Sequence, residues 1–206
     1  MTDRPEPGSG VESEIRDADW YGDDLSGVEH SQVAFTDVDL TESTAHRAVF
    51  TDCTFRNCRF NAAAFSESAF VNCTFNGCNF FDASFTGCKL VGSVFSKCSF
   101  DLLKVERGDW SFVALARADL RRARFLQARM READLTGASC QEAYFVGVDL
   151  SGASLQGADL SGCDLRGSDL TSLDPTETLV RGAIVDAAQT VVIALNLGLE
   201  VRAAEA

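Results

Sequence analysis

The stretch Asp52-Cys53-Thr54-Phe55-Arg56-Asn57-Cys58-Arg59-Phe60-Asn61-Ala62-Ala63-Ala64-Phe65 decides the fold, because its phenylalanines recur at every fifth residue. Towards the N-terminus the same register holds Trp20, Leu25, Phe35, Leu40 and Phe50. Towards the C-terminus it holds Phe70, Phe75, Phe80, Phe85, Leu90, Phe95, Phe100, Val105, Trp110, Leu115, Leu120, Phe125, Met130, Leu135, Cys140, Phe145 and every fifth residue on to Leu170. Only His30 and Ala45 are out of character. A period of five fits neither the 3.6 of a helix nor the 2.0 of a strand. It belongs to a chain that turns a corner at fixed intervals, and so to a repeat architecture.

Two residues before each large position sits a small one, as in Ala48, Cys53, Cys58, Ala63, Ser68, Cys73, Cys78, Ala123, Ala128, Ala133 and Ala158. Residues two apart on extended backbone point to the same side, so each pentad sends one small and one large side chain inward. Glycines such as Gly77, Gly87, Gly92, Gly137, Gly147 and Gly157 lie two residues after the large one. That is where the chain bends, and glycine tolerates the positive φ of a tight turn.

The units Ala118-Asp119-Leu120, Ala133-Asp134-Leu135, Ala158-Asp159-Leu160 and Cys163-Asp164-Leu165 resemble the repeats of the pentapeptide-repeat family, and the likeness runs over about residues 18–172. It implies an all-β fold, a right-handed quadrilateral β-helix in which four pentads close a square coil and coils stack through backbone hydrogen bonds. Such a solenoid is stabilised by nearest-neighbour stacking and needs no globular core.

The 206 residues carry 18 Lys and Arg against 31 Asp and Glu, a formal charge of −13, which argues against direct binding of nucleic acid or an anionic membrane. No apolar stretch is long enough to span a bilayer, and residues 1–10 lack the basic and apolar regions of a signal peptide, so a cytoplasmic location is expected. Of the eight cysteines, Cys53, Cys58, Cys73, Cys78, Cys88, Cys98 and Cys163 occupy the small register and Cys140 the large one. There cysteine alternates with alanine and serine as a small buried hydrophobe does, and spacings of five are unlike zinc-ligand pairs, so no metal or cofactor is expected.

The chain divides into a Pro/Gly/Ser/Glu-rich tail over 1–16, expected to be disordered, a regular coil over 17–172, and a C-terminal cap over 173–206. Residues 101–108 interrupt the pattern, since Leu103 is too large for the small register and Gly108 offers no side chain; a local bulge or bend is expected there. Pro175 ends the clean repeat, although Val180, Ala183 and Val185 return to its phase. Asp186 and Gln189 have the spacing of a helix capping box, which predicts a short helix over about 187–197 closed by Gly198. The last coil of a β-helix leaves an open sheet edge, and a single helix this apolar would be poorly covered. Pairing two C-terminal ends about a two-fold axis buries both, with Val191, Val192, Leu195, Leu197, Leu199 and Val201 as the expected interface; a monomeric cap is the alternative.

Within the family, three segments are similar to the fluoroquinolone-resistance group that includes MfpA and the Qnr proteins. They are Leu90-Val91-Gly92-Ser93-Val94-Phe95, Asp109-Trp110-Ser111-Phe112-Val113-Ala114-Leu115, and the ending from Thr178 to Leu199. The absence of loop insertions brings it closest to MfpA. The resemblance implies a C-terminally joined homodimeric rod that binds DNA gyrase by imitating duplex DNA, inhibiting the enzyme or shielding it from quinolones.

Charge along the chain tests that implication. About 7.5 coils at ~4.8 Å make a rod of ~36 Å, and duplex DNA of that length carries roughly 21 charges. Residues 1–44 hold twelve acids and two bases, a net of −10, whereas 45–100 come to +2, 101–170 to −2 and 171–206 to −3. Mimicry must therefore be local. Asp149, Asp159, Asp164 and Asp169 each precede a large inward residue and so face outward, with only Arg166 among them, and Asp109, Asp119 and Asp134 extend the set between several arginines. The same aspartates also suit turns and solubility, and both readings stand. No nucleophile motif, P-loop or metal-ligand spacing accompanies His30 and His46, and outward carboxylates on a convex rod lack a dry pocket, so an enzyme is not expected. Beside the gyrase reading stand self-immunity against a gyrase-targeting toxin and a generic protein-interaction scaffold unrelated to topoisomerases.

Overall fold

In a computed structural model, which describes residues 13–202, the chain winds into a right-handed parallel β-solenoid ending in one short helix. Stacked partners are twenty residues apart throughout, as in Phe35 beside Phe55, Phe55 beside Phe75 and Phe85 beside Val105. Three faces carry strands. One stacks Ser13–Arg16, Val33–Thr36, Thr54–Arg56, Thr74–Asn76 and Val94–Ser96. The next in the path stacks Thr44–His46, Ala64–Ser66, Ser84–Thr86, Lys104–Glu106, Arg124–Leu126 and Tyr144–Val146. A third stacks Glu29–Ser31, Val49–Thr51 and Ala69–Val71. The fourth is held by single bridges, Asp19 to Asp39, Arg59, Asn79 and Ser99, then Asp119 to Ser139 and Asp159.

Inside, each large register forms a column. Phe35, Phe55, Phe75 and Phe95 stack nearly parallel at 4.7–4.8 Å, one ring per coil, and adjacent columns meet edge to face. Such offset and T-shaped pairs contribute beyond the area that they bury. At nearly every corner the residue two after the large one takes φ between +48 and +73°, whether glycine or not; Ala62, Leu102 and Phe112 adopt it at +53, +60 and +61°. Only glycine does so without strain.

Several boundaries differ from expectation. Ser13–Arg16 is not tail but the first strand, paired in register with Val33–Thr36, because Ile15 falls in the large register and packs on the core; residues 1–12 lie outside the described part. The coil also runs past 172. Leu173 and Thr178 are buried, Leu160 N–H donates to Leu179 C=O and Leu165 N–H to Ile184 C=O. The returning phase of Val180, Ala183 and Val185 is thus a last partial coil rather than cap.

The expected bulge at 101–108 does not form: Lys104–Glu106 pairs with both Ser84–Thr86 and Arg124–Leu126 without a register shift. Gly108 instead lets the backbone close inward, so that a Cβ there would lie 2.1 Å from the Cys88 carbonyl oxygen. The irregularity appears on the fourth face. Phe80 donates to Ser99 C=O and Leu120 to Ser139 C=O, whereas no such bond joins Phe100 to Asp119, Leu102 to Arg121 or Asp119 to Cys98. The coil that climbs from Phe100 to Leu120 carries Leu103 and Val113 in the small register and Trp110 in the large one, all fully buried. Their extra volume forces a greater rise, which is taken up at the face without strands. A groove of about 830 Å³ opens there, lined by Cys98, Asp101, Asp119, Arg122 and Glu142 among others.

The helix α1 (Ala187–Asn196) is set by Asp186, whose carboxylate accepts from Gln189 N–H at 3.0 Å while the Gln189 side-chain oxygen accepts from Asp186 N–H at 2.8 Å. The buried Gln189 amide donates to Leu165 and Ser168 carbonyls, both at 2.7 Å, and Asn196 donates to those of Leu170 and Leu173. Carbonyls that an unfinished β-helix would leave open are thus met by two side-chain amides. No helix is long and apolar enough to cross a membrane among the described residues.

Candidate protein-interaction surface

Each candidate aspartate stands one residue before an inward large side chain, so its carboxylate sits over the following corner. One oxygen accepts the backbone N–H two residues on: Ser111 to Asp109, Arg121 to Asp119, Thr136 to Asp134, Ser151 to Asp149, Ser161 to Asp159, Arg166 to Asp164 and Thr171 to Asp169. Such Asx turns explain why aspartate recurs at this position.

The seven do not share a face. Asp109, Asp149 and Asp169 stand in one column with Arg129, whereas Asp119 and Asp159 occupy the fourth face, two corners away. Asp134 and Asp164 stand on the two faces between.

Their second oxygens separate them further. Arg129 lies 3.2 Å from Asp109, Arg121 2.6 Å from Asp119, Arg131 2.5 Å from Asp149 and Arg166 2.7 Å from Asp164. Asp164 is only 6% exposed, with Arg166 folded over it, so it presents no free negative charge. Asp134, Asp159 and Asp169 have no basic partner among the described residues; Asp159 accepts instead from the Gln141 amide and Asp169 from the Thr171 hydroxyl. Asp174, which the sequence reading left out, likewise has no basic partner among the described residues and accepts from Thr176.

For five of the seven, Asp109, Asp119, Asp149, Asp159 and Asp164, the surroundings favour the ionised form. The Arg121 guanidinium lowers Asp119, that of Arg166 lowers Asp164, and the Ser161 hydroxyl lowers Asp159. For Asp109 and Asp149 burial acts in the opposite sense, yet the hydroxyls of Ser111 and Ser151 together with Arg129 and Arg131 outweigh it and the net shift is downward. Nearer the N-terminus Asp39, bonded to Arg59 at 2.6 Å, is lowered to about 2.

The C-terminal end is apolar. Val191, Leu195, Leu197, Leu199 and Val201 are exposed, Leu199 to 58%. Val192 is not among them: with Ile193 it packs half-buried against the last coil, on the inner side of α1. On the last coil Leu179, 61% exposed, and Ile184 are exposed as well. Sequence reasoning passed over these two because their outward register is mostly polar or alanine, with Val49 and Val94 as exceptions.

Elsewhere the chemistry is that of packing. Burial pushes the Cys88 thiol up to about 11 and Cys163 up to about 12, as expected of inert core thiols. His30 is stacked between Trp20 and Phe50 in the first coil, where burial lowers its pKa, and His46 lies on the surface with Nδ1 3.1 Å from Ser66 Oγ. Among the described residues no group of three His, Cys, Asp or Glu side chains is placed to hold a metal ion.

Eight copies of the pentapeptide-repeat family model match, within residues 58–96, 114–152 and 133–171. Among solved structures the chain is similar to full-length QnrB1, a plasmid-mediated fluoroquinolone resistance protein, at 18% identity and a TM-score of 0.59, over 93% of this chain and 100% of that one. A trypsin-treated QnrB1 gives 21% identity and 0.54, over 93% and 96% of the two chains. HetL, a pentapeptide repeat protein involved in heterocyst differentiation regulation in the cyanobacterium Nostoc, is 26% identical with a TM-score of 0.50, over 86% and 87%. Comparison with curated proteins gives no match.

Proposed function

We propose that this chain is a pentapeptide-repeat protein of the fluoroquinolone-resistance group, nearest in kind to MfpA, and that it acts without catalysis by occupying the duplex-binding surface of DNA gyrase. The observation that carries the reading is the C-terminal half of the rod. There Asp134, Asp159, Asp169 and Asp174 form no ion pair with any base among the described residues, next to an apolar end suited to a second copy. Duplication about a two-fold axis at that end places two such acidic stretches on either side of the centre of a longer rod. A gyrase surface that binds duplex DNA presents Lys and Arg to phosphates, and fixed carboxylates at intervals meet the same groups. The cytoplasm, where gyrase works, is the matching location.

Asp→Asn substitution separates this role from the turn role, because asparagine keeps the Oδ1 that accepts the corner N–H and loses only the charge. The triple variant Asp134→Asn, Asp159→Asn, Asp169→Asn is expected to keep the β-sheet circular dichroism and lose about tenfold or more in gyrase affinity, at roughly 1.4 kcal/mol per tenfold. Asp109→Asn, Asp119→Asn and Asp149→Asn, each removing a charge already paired with arginine, are expected to bind within about twofold of the unsubstituted chain. Equal binding by both triples would assign the aspartates to turns alone. A scaffold role unrelated to topoisomerases is the second reading, favoured by the arginine pairing of four of the seven aspartates. It predicts no gyrase binding by the unsubstituted chain.

A further inference from the structure

Seven of the eight cysteines are buried, and the eighth, Cys98, is partly exposed. It owes that exposure to the groove on the fourth face: Cys98 lines it, and Ala118, one coil above, is partly exposed as well. Directly below Cys98 in the same small column stand Cys78 and then Cys58, both fully buried. The three thiols repeat one geometry. Cys98 Sγ donates to the carbonyls of Phe75 and Ser96, Cys78 Sγ to those of Phe55 and Asn76, and Cys58 Sγ to those of Phe35 and Arg56. Neighbours in this column are one coil apart, and stacked rings in the adjoining columns give that repeat as 4.7–4.8 Å. The spacing lies inside the ~4.4–6.8 Å Cα window for a disulfide.

We propose that Cys98 and Cys78 form a peroxide-sensitive thiol pair, with Cys98 the attacked thiol and Cys78 the resolving one. The Cys98 thiolate attacks one oxygen of hydrogen peroxide, the O–O bond breaks, and sulfenic acid and water result. The Cys78 sulfur then attacks the sulfenic sulfur, a disulfide forms, and the hydroxyl leaves as a second water. In sum two thiols and one peroxide give one disulfide and two waters.

Access favours the first step: Cys98 is the one cysteine of the eight that is not buried, and it opens onto the groove. The bond that results is strained, since relaxed disulfides hold Cβ atoms ~3.5–4.5 Å apart, less than one coil repeat. A strained disulfide is readily reduced, so the oxidation is reversible by a dithiol. Cys53 and Cys73 stack in the same manner but are both fully buried, and serve as an internal control.

The test treats the folded full-length chain with hydrogen peroxide, blocks remaining thiols and maps tryptic peptides. Cys98 sits alone in the peptide 98–104, which is expected to cross-link to 60–89 through Cys78 and to be released by dithiothreitol. Before oxidation Cys98 is expected to alkylate about tenfold or more faster than any other cysteine. The Cys78→Ser variant is expected to accumulate a dimedone-trapped sulfenic acid at Cys98, and Cys98→Ser to form no disulfide. Alkylation of Cys98 no faster than that of Cys53 or Cys88, or a cross-link joining Cys53 to Cys73 instead, overturns the proposal.

Discussion

At the residue scale, an outward aspartate has two carboxylate oxygens with separate duties. One closes the Asx turn at the corner; the other either meets an arginine or faces water. The turn duty was legible in the sequence from the recurrence of aspartate before large residues such as Leu120, Leu135, Leu150, Leu160 and Leu170. Which arginine meets which aspartate was not, although the pairs Asp39–Arg59 and Asp109–Arg129 are one coil of twenty residues apart and emerge when the chain is written in rows of that length. Arg131 with Asp149 and Arg122 with Asp101, offset by 18 and 21 residues, reach around corners and escape even that device. Gly108 is the residue whose identity the fold most requires. A methyl group there meets Cys88 backbone at 2.1 Å and has a φ of +83°, so neither a side chain nor the backbone has room to relax. Gly108→Ala is expected to destabilise the protein by about 2–4 kcal/mol in urea titration, whereas Gly157→Ala, at an open corner, is expected to cost only about 1–2 kcal/mol.

At the element scale, faces and corners followed from the period of five, and α1 from the Asp186–Gln189 capping box. The split on the fourth face did not. The sequence marks Leu103 as oversized and the stretch 101–108 as irregular, without singling out Val113 or Trp110, and strain in a closed coil is relieved where cohesion is weakest rather than where it arises. The strands at 104–106 hold three residues each in the ladder, while the fourth face is joined by single bridges and gives way. Trp110 bears the cost locally, since its buried indole N–H has no partner among the described residues. Hydrogen exchange read at single amides tests this. Phe100 and Leu102 are expected to exchange far faster than Phe80, Asp82 and Leu120, whose N–H groups are bonded to the next coil. Equal protection at Phe100 and Phe80 would show a closed face.

At the scale of the whole molecule, the rod has two unlike ends. The N-terminal coils carry most of the net negative charge, and the C-terminal end is sealed for its backbone by Gln189 and Asn196 yet exposes leucine and valine from both α1 and the last coil. Exposed apolar patches of that kind mark association sites. The unsubstituted chain is expected to sediment as a dimer, and Leu195→Glu with Leu199→Glu as a folded monomer; a dimer that survives both changes would place the contact elsewhere. The apolar C-terminal segment was legible from sequence, but the inward turn of Val192 and the contribution of Leu179 and Ile184 depend on how α1 lies across the last coil.

Gyrase supercoiling in the presence of the purified chain, with and without a quinolone, decides whether the rod competes with duplex DNA. Dose-dependent inhibition of supercoiling and reduced drug-induced DNA cleavage are expected, both weakened in the triple variant of Asp134, Asp159 and Asp169. Unaltered supercoiling and cleavage at micromolar concentrations of the folded dimer would contradict that competition.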